Sequence, residues 1–134
     1  MEIKQISVFL DNTAGRLGEV TRVLAKAGIN IRAISIADTR DFGILRLIVD
    51  KCDEALKALN DADFTARVSD LIAVEMEDRP GSLAAIMELF EKSMVNIEYL
   101  YAPLEGKNGK IVVTFKLEDH QKGLQIIREN GLSR

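Results

Sequence analysis

Two short segments of the sequence carry residues that could bind a small zwitterion. They read Asp11-Asn12-Thr13-Ala14-Gly15-Arg16-Leu17 and Glu77-Asp78-Arg79-Pro80-Gly81-Ser82-Leu83. If a helix begins at the glycine, its first backbone N–H groups have no partner within the helix. They lie at the positive end of the helix dipole, where a carboxylate can bind. The preceding Asp or Asn can accept hydrogen bonds from an ammonium group, so each turn could bind a free α-amino acid.

Structural capping is the competing interpretation of both turns. A strand that passes through an Asp or Asn and a glycine into a helix is common, and the side chain can cap the helix without any ligand. Recurrence in both halves favours ligand binding only slightly, because a duplication copies structural turns and functional turns alike.

Residues for other kinds of chemistry are scarce. The chain contains one cysteine, Cys52, one histidine, His120, and no tryptophan. A single cysteine excludes an internal disulfide, and one cysteine with one histidine cannot complete a tetrahedral zinc site. Both residues lie in short polar stretches that predict the start of a surface helix. We therefore expect no metal, no cofactor and no enzymatic activity.

The composition is that of an ordinary globular protein, with 134 residues, 47% hydrophobic and 29% charged, and a net charge of −3. This charge argues against a nucleic-acid or anionic-membrane partner, because affinity for those surfaces comes mainly from clustered positive charge. No apolar run approaches the roughly 18 residues that cross a bilayer. The N-terminal residues have a strand pattern and lack the features of a signal peptide, so we expect a cytoplasmic protein.

An internal repeat divides the chain in two. An offset of 66 positions aligns the first two thirds of each half, and the offset becomes 68 in the final helix. The pairs at 66 include Ile6 and Ile72, Val8 and Val74, Gly15 and Gly81, Asn30 and Asn96, and Gly43 and Gly109; those at 68 are Leu56 and Leu124, and Leu59 and Ile127. We expect two domains, residues 1–68 and 69–134, each near the lower size limit for an independent core.

Within each half, the hydrophobic period changes in the same order. Alternating apolar residues predict strands, and apolar residues three and four positions apart predict amphipathic helices. The order β-α-β-β-α-β predicts an α+β fold of two tandem ferredoxin-like units, each with an antiparallel sheet and both helices on one face. The predicted strands are 6–10, 29–37, 43–50, 64–68, 71–76, 95–102 and 109–117, and the predicted helices begin near 17, 54, 83 and 120.

The second half is shorter at its C-terminal end. Only Leu132 to Arg134 follow its last helix, so we expect its final strand to be short or missing. The strand at 71–76 would then have an open edge, which proteins usually cover or pair.

The sheet face opposite the helices is apolar in the first half and polar in the second. In the first half this face carries Phe9, Ile44 and Ile48, and also Ile34 and Ile36 if the second strand changes phase after Ile31. The equivalent positions in the second half include Glu75, Lys110 and Thr114. Because a large apolar sheet face is rarely left in water, we expect the first half to pack against another copy of the chain.

At the two turns the sequence resembles the ACT domain family. The family pattern is a strand, a turn of the form Asn/Asp-x-x-Gly-x-Leu, an amphipathic helix, and Asn-Ile at the second strand. Residues 78–83 with Val95-Asn96-Ile97 fit this pattern closely, and residues 12–17 with Asn30-Ile31 fit it with Ala14 in place of the usual proline. The resemblance covers the whole chain as two ACT units, like the small stand-alone tandem-ACT proteins.

The resemblance implies a non-enzymatic sensor that binds a free amino acid and regulates a separate partner. ACT units typically pair through their second strands and bind an amino acid at the seam, between the turn of one unit and the second strand of another. It also implies a homodimer and two unequal sites, because the turns differ in their side chains. The implied ligand-binding residues are Asp11, Asn12, Ala14, Gly15, Arg16, Leu17, Asn30, Asp78, Arg79, Pro80, Gly81, Ser82, Leu83, Asn96 and Tyr99, with Tyr101 on the same side of its strand.

Two other functions remain open from the sequence. One is a protein-interaction module that keeps the fold without a ligand. The other is a small enzyme resembling the acylphosphatases, which share this topology and use an Arg and an Asn at a phosphate-binding loop; Gly15-Arg16 and Asn30 match that pattern only faintly.

Overall fold

A computed structural model describes residues 1–11, 13–38 and 42–132 and divides the chain into two compact units. The N-terminal unit is Lys4–Ser69, and the C-terminal unit combines Asp70–Arg134 with Met1–Ile3. The elements are β1 (Glu2–Asp11), α1 (Arg16–Lys26), β2 (Ile31–Asp38), β3 (Phe42–Val49), α2 (Cys52–Asp61), β4 (Thr65–Glu77), α3 (Ser82–Lys92), β5 (Ile97–Tyr101), β6 (Lys110–Leu117) and α4 (His120–Glu129).

The N-terminal unit has the strand order β2-β3-β1-β4. Ile6 pairs with Leu47 and Val8 with Leu45 across antiparallel strands, so these side chains share one face of the sheet. The helices bury apolar residues against that face, and together they form a single core. The helical contributors are Val20 and Leu24 of α1 and Ala55 and Leu59 of α2.

The C-terminal unit has the strand order β4-β6-β5 and a core of the same design. Phe90 of α3 meets Phe115 of β6 edge to face, with ring centroids 5.4 Å apart. Such aromatic pairs are worth about 0.5–1.5 kcal/mol beyond their buried area. The prediction of an α+β fold with two ferredoxin-like units is confirmed.

The structure has one strand, β4, where the sequence predicts two. The sequence predicts two strands, 64–68 and 71–76, but β4 runs unbroken from Thr65 to Glu77. No glycine or proline lies between the two predicted strands, so nothing in the local sequence forces a turn.

The expected open edge of the C-terminal unit is partly covered by Met1–Ile3. The Met1 nitrogen donates to the Ala73 carbonyl at 3.1 Å, and the Ala73 N–H donates to the Met1 carbonyl at 2.8 Å. The Glu2 carboxylate lies 2.7 Å from Nε2 of His120. After α4, the Leu132 N–H donates to Ile127; Ser133 and Arg134 lie outside the described residues.

A bulge shifts the register of β2 between Ile31 and Ala33. The phase change does occur, but it places Ile34 opposite Leu47 and Ile36 opposite Leu45, on the face that the helices cover. Their predicted position on the opposite face is therefore wrong. They are 48% and 41% exposed because β2 is the edge strand of its unit.

The register also corrects the repeat alignment. Ile6 pairs with Leu47 and its counterpart Ile72 pairs with Phe115, so the offset is already 68 in the third strand. Gly109 is therefore not the counterpart of Gly43. The counterparts of Ile44 and Ile48 on the face opposite the helices are Val112 and Lys116, rather than Lys110 and Thr114.

Candidate functional site

The two glycine turns have the same backbone geometry. Gly15 and Gly81 precede the helices with φ of 89° and 92°, a left-handed conformation that glycine adopts without strain. In the first turn, the Thr13 N–H donates to Asp11 and the Arg16 N–H to Thr13; in the second, Arg79 donates to Glu77 and Ser82 to Arg79. Asn12 lies outside the described residues.

Two N–H groups at the start of each helix are available to a ligand. The first helical hydrogen bonds run from Glu19 to Gly15 and from Ala85 to Gly81. Leu17 and Gly18 precede Glu19 in α1, and Leu83 and Ala84 precede Ala85 in α3. In the described parts of the chain, the N–H groups of these four residues donate to no backbone carbonyl. Neither N-cap glycine supplies a side-chain hydrogen bond. The N-cap residues therefore leave these N–H groups uncapped.

The side chains around the first turn pack on each other. The Arg16 guanidinium lies over the Phe64 ring, 4.7 Å from its centroid, and its Nη1 donates to Glu19 at 2.8 Å. Its Nε is buried without a partner among the described residues. Asp11, Arg16 and Phe64 line a cavity of about 220 Å³. Arg16 is thus engaged with its own unit.

The second turn is held by a neighbouring strand. Lys110 of β6 forms an ion pair with Glu77, its register partner in β4, and this hydrogen bond and charge lower the pKa of the Glu77 carboxyl. The Asp78 N–H donates to the Gly109 carbonyl at 2.9 Å. In the first turn, Asp11 pairs in register with Phe42, which cannot form an ion pair. Asp78 itself is exposed, so its carboxylate is accessible to solvent.

The asparagines expected at the site lie at the far end of their own units. Asn30 follows α1 and exchanges hydrogen bonds with Asp50, and the Asn96 carbonyl accepts from Glu118. Since α1 is an 11-residue helix, about 16 Å separates Asn30 from the turn of its own unit. This separation argues against the acylphosphatase alternative, which needs Arg16 and Asn30 together.

The tyrosines of β5 lie on the face opposite the helices. Tyr99 pairs with Lys116 and Tyr101 with Thr114, whereas Leu100 pairs with the core residue Phe115. Tyr99 and Tyr101 do share one side of the strand, as the sequence indicates. Within their own unit, that side is not the one on which α3 packs.

The surroundings of Cys52 do not favour a reactive thiolate. Burial raises the pKa of the Cys52 thiol, which favours the unreactive thiol form. The described residues contain no group of three or more His, Cys, Asp and Glu that could hold a metal ion. None of their helices is long and apolar enough to cross a membrane.

Sequence reasoning missed two features of the turns. The stacking of Arg16 on Phe64 joins residues 48 positions apart, and no periodic pattern reports such a pair. The contact of residues 106–110 with the second turn was hidden by the incorrect pairing of Gly109 with Gly43. The dipeptide Asn108-Gly109, a strong hairpin signal, could have placed a turn there.

The fold and the paired turns define an α+β protein of two tandem ferredoxin-like units, and comparison with known proteins identifies its family. The family model described as the ACT domain pair matches residues 1–134. The chain therefore belongs to the ACT domain pair family, as the turn motifs predict.

Solved structures agree with this assignment. Protein BT0572 from Bacteroides thetaiotaomicron is 38% identical, with a TM-score of 0.92 over 99% of this chain and 91% of that chain. The regulatory subunits of aspartate kinase from Thermus thermophilus and Thermus flavus are 19% and 20% identical, with TM-scores of 0.64 and 0.62. Each alignment covers 94% of this chain, with 91% and 90% of theirs, and shows a shared fold. No functionally curated protein matches the chain.

Proposed function

We propose that this protein is a non-enzymatic cytoplasmic sensor that binds a free amino acid and regulates a separate partner protein. The binding units are residues 1–68 and 69–134. The amino-acid carboxylate binds the N–H groups of Leu83 and Ala84 at the start of α3, and its ammonium group binds the Asp78 carboxylate. The first turn offers the equivalent N–H groups of Leu17 and Gly18 as a second, weaker site.

One observation carries this proposal: both helices begin at a left-handed glycine and leave two N–H groups without a backbone acceptor. Free donors at a helix N-terminus attract a carboxylate. The exposed Asp78 adds an acceptor for an amine at the second turn. The regulatory subunits of aspartate kinase, with which the chain shares its fold, offer an analogy for a partner enzyme.

A thermal-shift screen of the full chain against the twenty amino acids tests the proposal. A ligand at 100 times its Kd adds about 2.7 kcal/mol to the free energy of unfolding, which is a readily measured shift. At least one amino acid should raise the midpoint, and Asp78→Ala should remove that increase while the protein stays folded. If no amino acid raises the midpoint, the sensor function is wrong. Including acetyl phosphate in the same screen tests the acylphosphatase alternative.

The two edge strands favour a homodimer as the form that binds the ligand. Strands β2 and β5 stand at the ends of the strand order, and unpaired strand edges readily pair with another chain. Ile34 and Ile36 of β2 are exposed at such an edge. In the proposed dimer, the second strand of one copy lies beside the second strand of another, and each seam places a turn near the partner's strand.

Light scattering tests the dimer. Ile36→Lys places a charge on the β2 edge and should convert the dimer to a monomer, because a buried unpaired ammonium opposes strand pairing. Leu104→Lys makes the same change at a fully exposed loop residue and should leave the mass unchanged. A monomeric wild-type chain, or an Ile36→Lys variant that remains dimeric, would place the ligand site within a single copy or at another surface.

A further inference from the structure

The loop between β5 and β6 ends in a tight hairpin that touches the second turn. The Lys107 N–H donates to Lys110 at 2.7 Å and the Lys110 N–H returns a bond at 3.0 Å. The two central residues, Asn108 and Gly109, have φ of 54° and 74°, as a type I′ hairpin turn requires. The Gly109 carbonyl accepts the hydrogen bond from the Asp78 N–H, so the hairpin is joined to the backbone of the turn.

Gly106 brings the same loop against the Asp78 side chain. A Cβ atom at Gly106 would lie 2.9 Å from Oδ2 of Asp78 and 2.3 Å from the Lys110 carbonyl oxygen. Both distances are shorter than ordinary contacts, so only glycine allows the backbone to approach this closely. The loop backbone therefore occupies one side of the Asp78 carboxylate and restricts the directions in which it can point.

The loop that makes this contact is two residues longer than its counterpart in the N-terminal unit. Twelve residues separate the paired Tyr101 and Thr114, whereas ten separate their counterparts Ser35 and Arg46. The two halves otherwise share the register of this strand pair, including the bulge near its start. The extra length lies in the loop that reaches Asp78.

We propose that Gly106 is a positioning residue of the amino-acid site: by its close approach it holds the Asp78 carboxylate towards the space in front of α3, where the ammonium group of a bound amino acid lies. This inference rests on the proposed function and extends it, because it makes recognition of the amine a property of the β5–β6 loop. The first turn has no matching insertion, so amine recognition belongs to the C-terminal site.

The test compares probes that differ only in the ammonium group. Isothermal titration of the full chain uses the amino acid with the largest thermal shift and its des-amino acid: L-alanine and propionate, L-leucine and 4-methylpentanoate, or L-glutamate and glutarate, for example. The wild-type chain should bind the amino acid about tenfold or more tightly than the des-amino acid, because only the amino acid has an ammonium group that can form a charge-assisted hydrogen bond with Asp78. Gly106→Ala should bring this ratio close to one, and so should Asp78→Asn.

Three further variants separate positioning from general damage. Gly131→Ala makes the same substitution at a glycine of this unit that has a positive φ and no atom near the added Cβ, and should keep the ratio. Gly109→Ala adds strain without a clash and should lower the ratio by a smaller factor than Gly106→Ala. The double variant Gly106→Ala/Asp78→Asn should lose no more than Asp78→Asn alone. An unchanged ratio in Gly106→Ala, with Asp78→Asn reduced, overturns the inference.

A measurement without ligand keeps this inference separate from the proposed function. If no amino acid binds the wild-type chain, the sensor proposal fails by itself. Hydrogen exchange of the Asp78 amide then tests the positioning contact, because Gly106→Ala should displace the loop that accepts its hydrogen bond. We expect exchange about tenfold or more faster than in wild type or Gly131→Ala. An exchange rate equal to the wild-type rate shows that Gly106 does not position Asp78.

Discussion

The turns before α1 and α3 make the same backbone hydrogen bonds, but different contacts surround them. At the first turn, Arg16 is stacked on Phe64 and paired with Glu19. At the second, the place of Arg16 is taken by Ser82, and Asp78 is held instead by the hairpin of its own unit. The side chains have diverged while the left-handed glycine and the free N–H groups are the same in both.

This difference separates what the backbone of the turn contributes to ligand binding from what its side chains contribute. A contact through backbone N–H groups needs only the correct conformation, so glycine and the hydrogen bonds around it suffice. Selection among ligands needs side chains, and these are held in place only where neighbouring residues support them. Because a preorganised site loses less entropy on binding, we expect the second turn to bind the amino acid more tightly than the first.

Replacement of the turn glycines should have the largest effect and should show that the two turns differ in ligand binding. Gly15→Val and Gly81→Val each force a β-branched residue into a left-handed conformation, at a cost of about 2 kcal/mol. Chemical denaturation should show similar losses of stability, because the two φ values differ by only 3°. The thermal shift given by the amino acid should disappear in Gly81→Val and persist in Gly15→Val.

Two results would contradict this comparison. Loss of the amino-acid response in Gly15→Val alone would make the first turn the stronger site. Equal reductions in both variants would mean that the side chains around the turns do not rank the sites.

The core and the turns could be predicted from sequence because both follow local rules. Ile6 and Val8 alternate in a strand, Val20 and Leu24 repeat at helical spacing, and the glycine marks the break between them. The two-residue insertion before β6 could not be found in this way, because Gly109 happens to stand 66 positions after Gly43. The pairing of Ile72 with Phe115 shows that the alignment has already shifted in β6.

The surroundings of the turns were less predictable because they depend on long-range contacts. Gly106 is an ordinary loop glycine in the sequence, and its closeness to Asp78 follows from how the hairpin folds back. The exposure of Ile34 and Ile36 similarly depends on the bulge after Ile31 and on the edge position of β2, neither of which periodicity alone determines.

Exchange of the turn proline should have a smaller effect that tests whether the two backbones are interchangeable. The counterpart of Pro80 is Ala14, whose N–H donates to no backbone carbonyl in the described parts of the chain. Ala14→Pro should therefore raise the free energy of unfolding by about 0.4–1 kcal/mol, and Pro80→Ala should lower it by a similar amount, mainly through the entropy of the unfolded chain. Urea denaturation measures both changes.

The combination Ala14→Pro/Pro80→Ala provides the control for this exchange. If the two turns are equivalent, its stability should equal that of wild type. A destabilised Ala14→Pro variant would show that the first turn has a backbone conformation that proline cannot adopt.

Removal of the ion pair beside the second turn should have the smallest effect, and pH should reveal it. Lys110 lowers the pKa of Glu77, so the pair stabilises the folded protein above the ordinary carboxyl pKa of about 4.3, and this stabilisation is lost as pH falls through the lowered value. Lys110→Met should therefore reduce Tm slightly at pH 7, and the difference should shrink as pH falls below about 4.3 and vanish below the lowered pKa of Glu77.

The salt dependence and a variant of a neighbouring lysine test whether the ion pair causes the difference in Tm. Both partners are exposed, so the difference should shrink in 1 M NaCl, where the Debye length is about 3 Å. Lys107→Met removes a lysine of the same hairpin that has no ion pair with a described residue and should show no such pH dependence. The first turn pairs Asp11 in register with Phe42, so no equivalent variant exists there. A pH-independent loss in Lys110→Met would instead assign the role of Lys110 to its alkyl chain, and the second turn would then be held by the hairpin backbone alone.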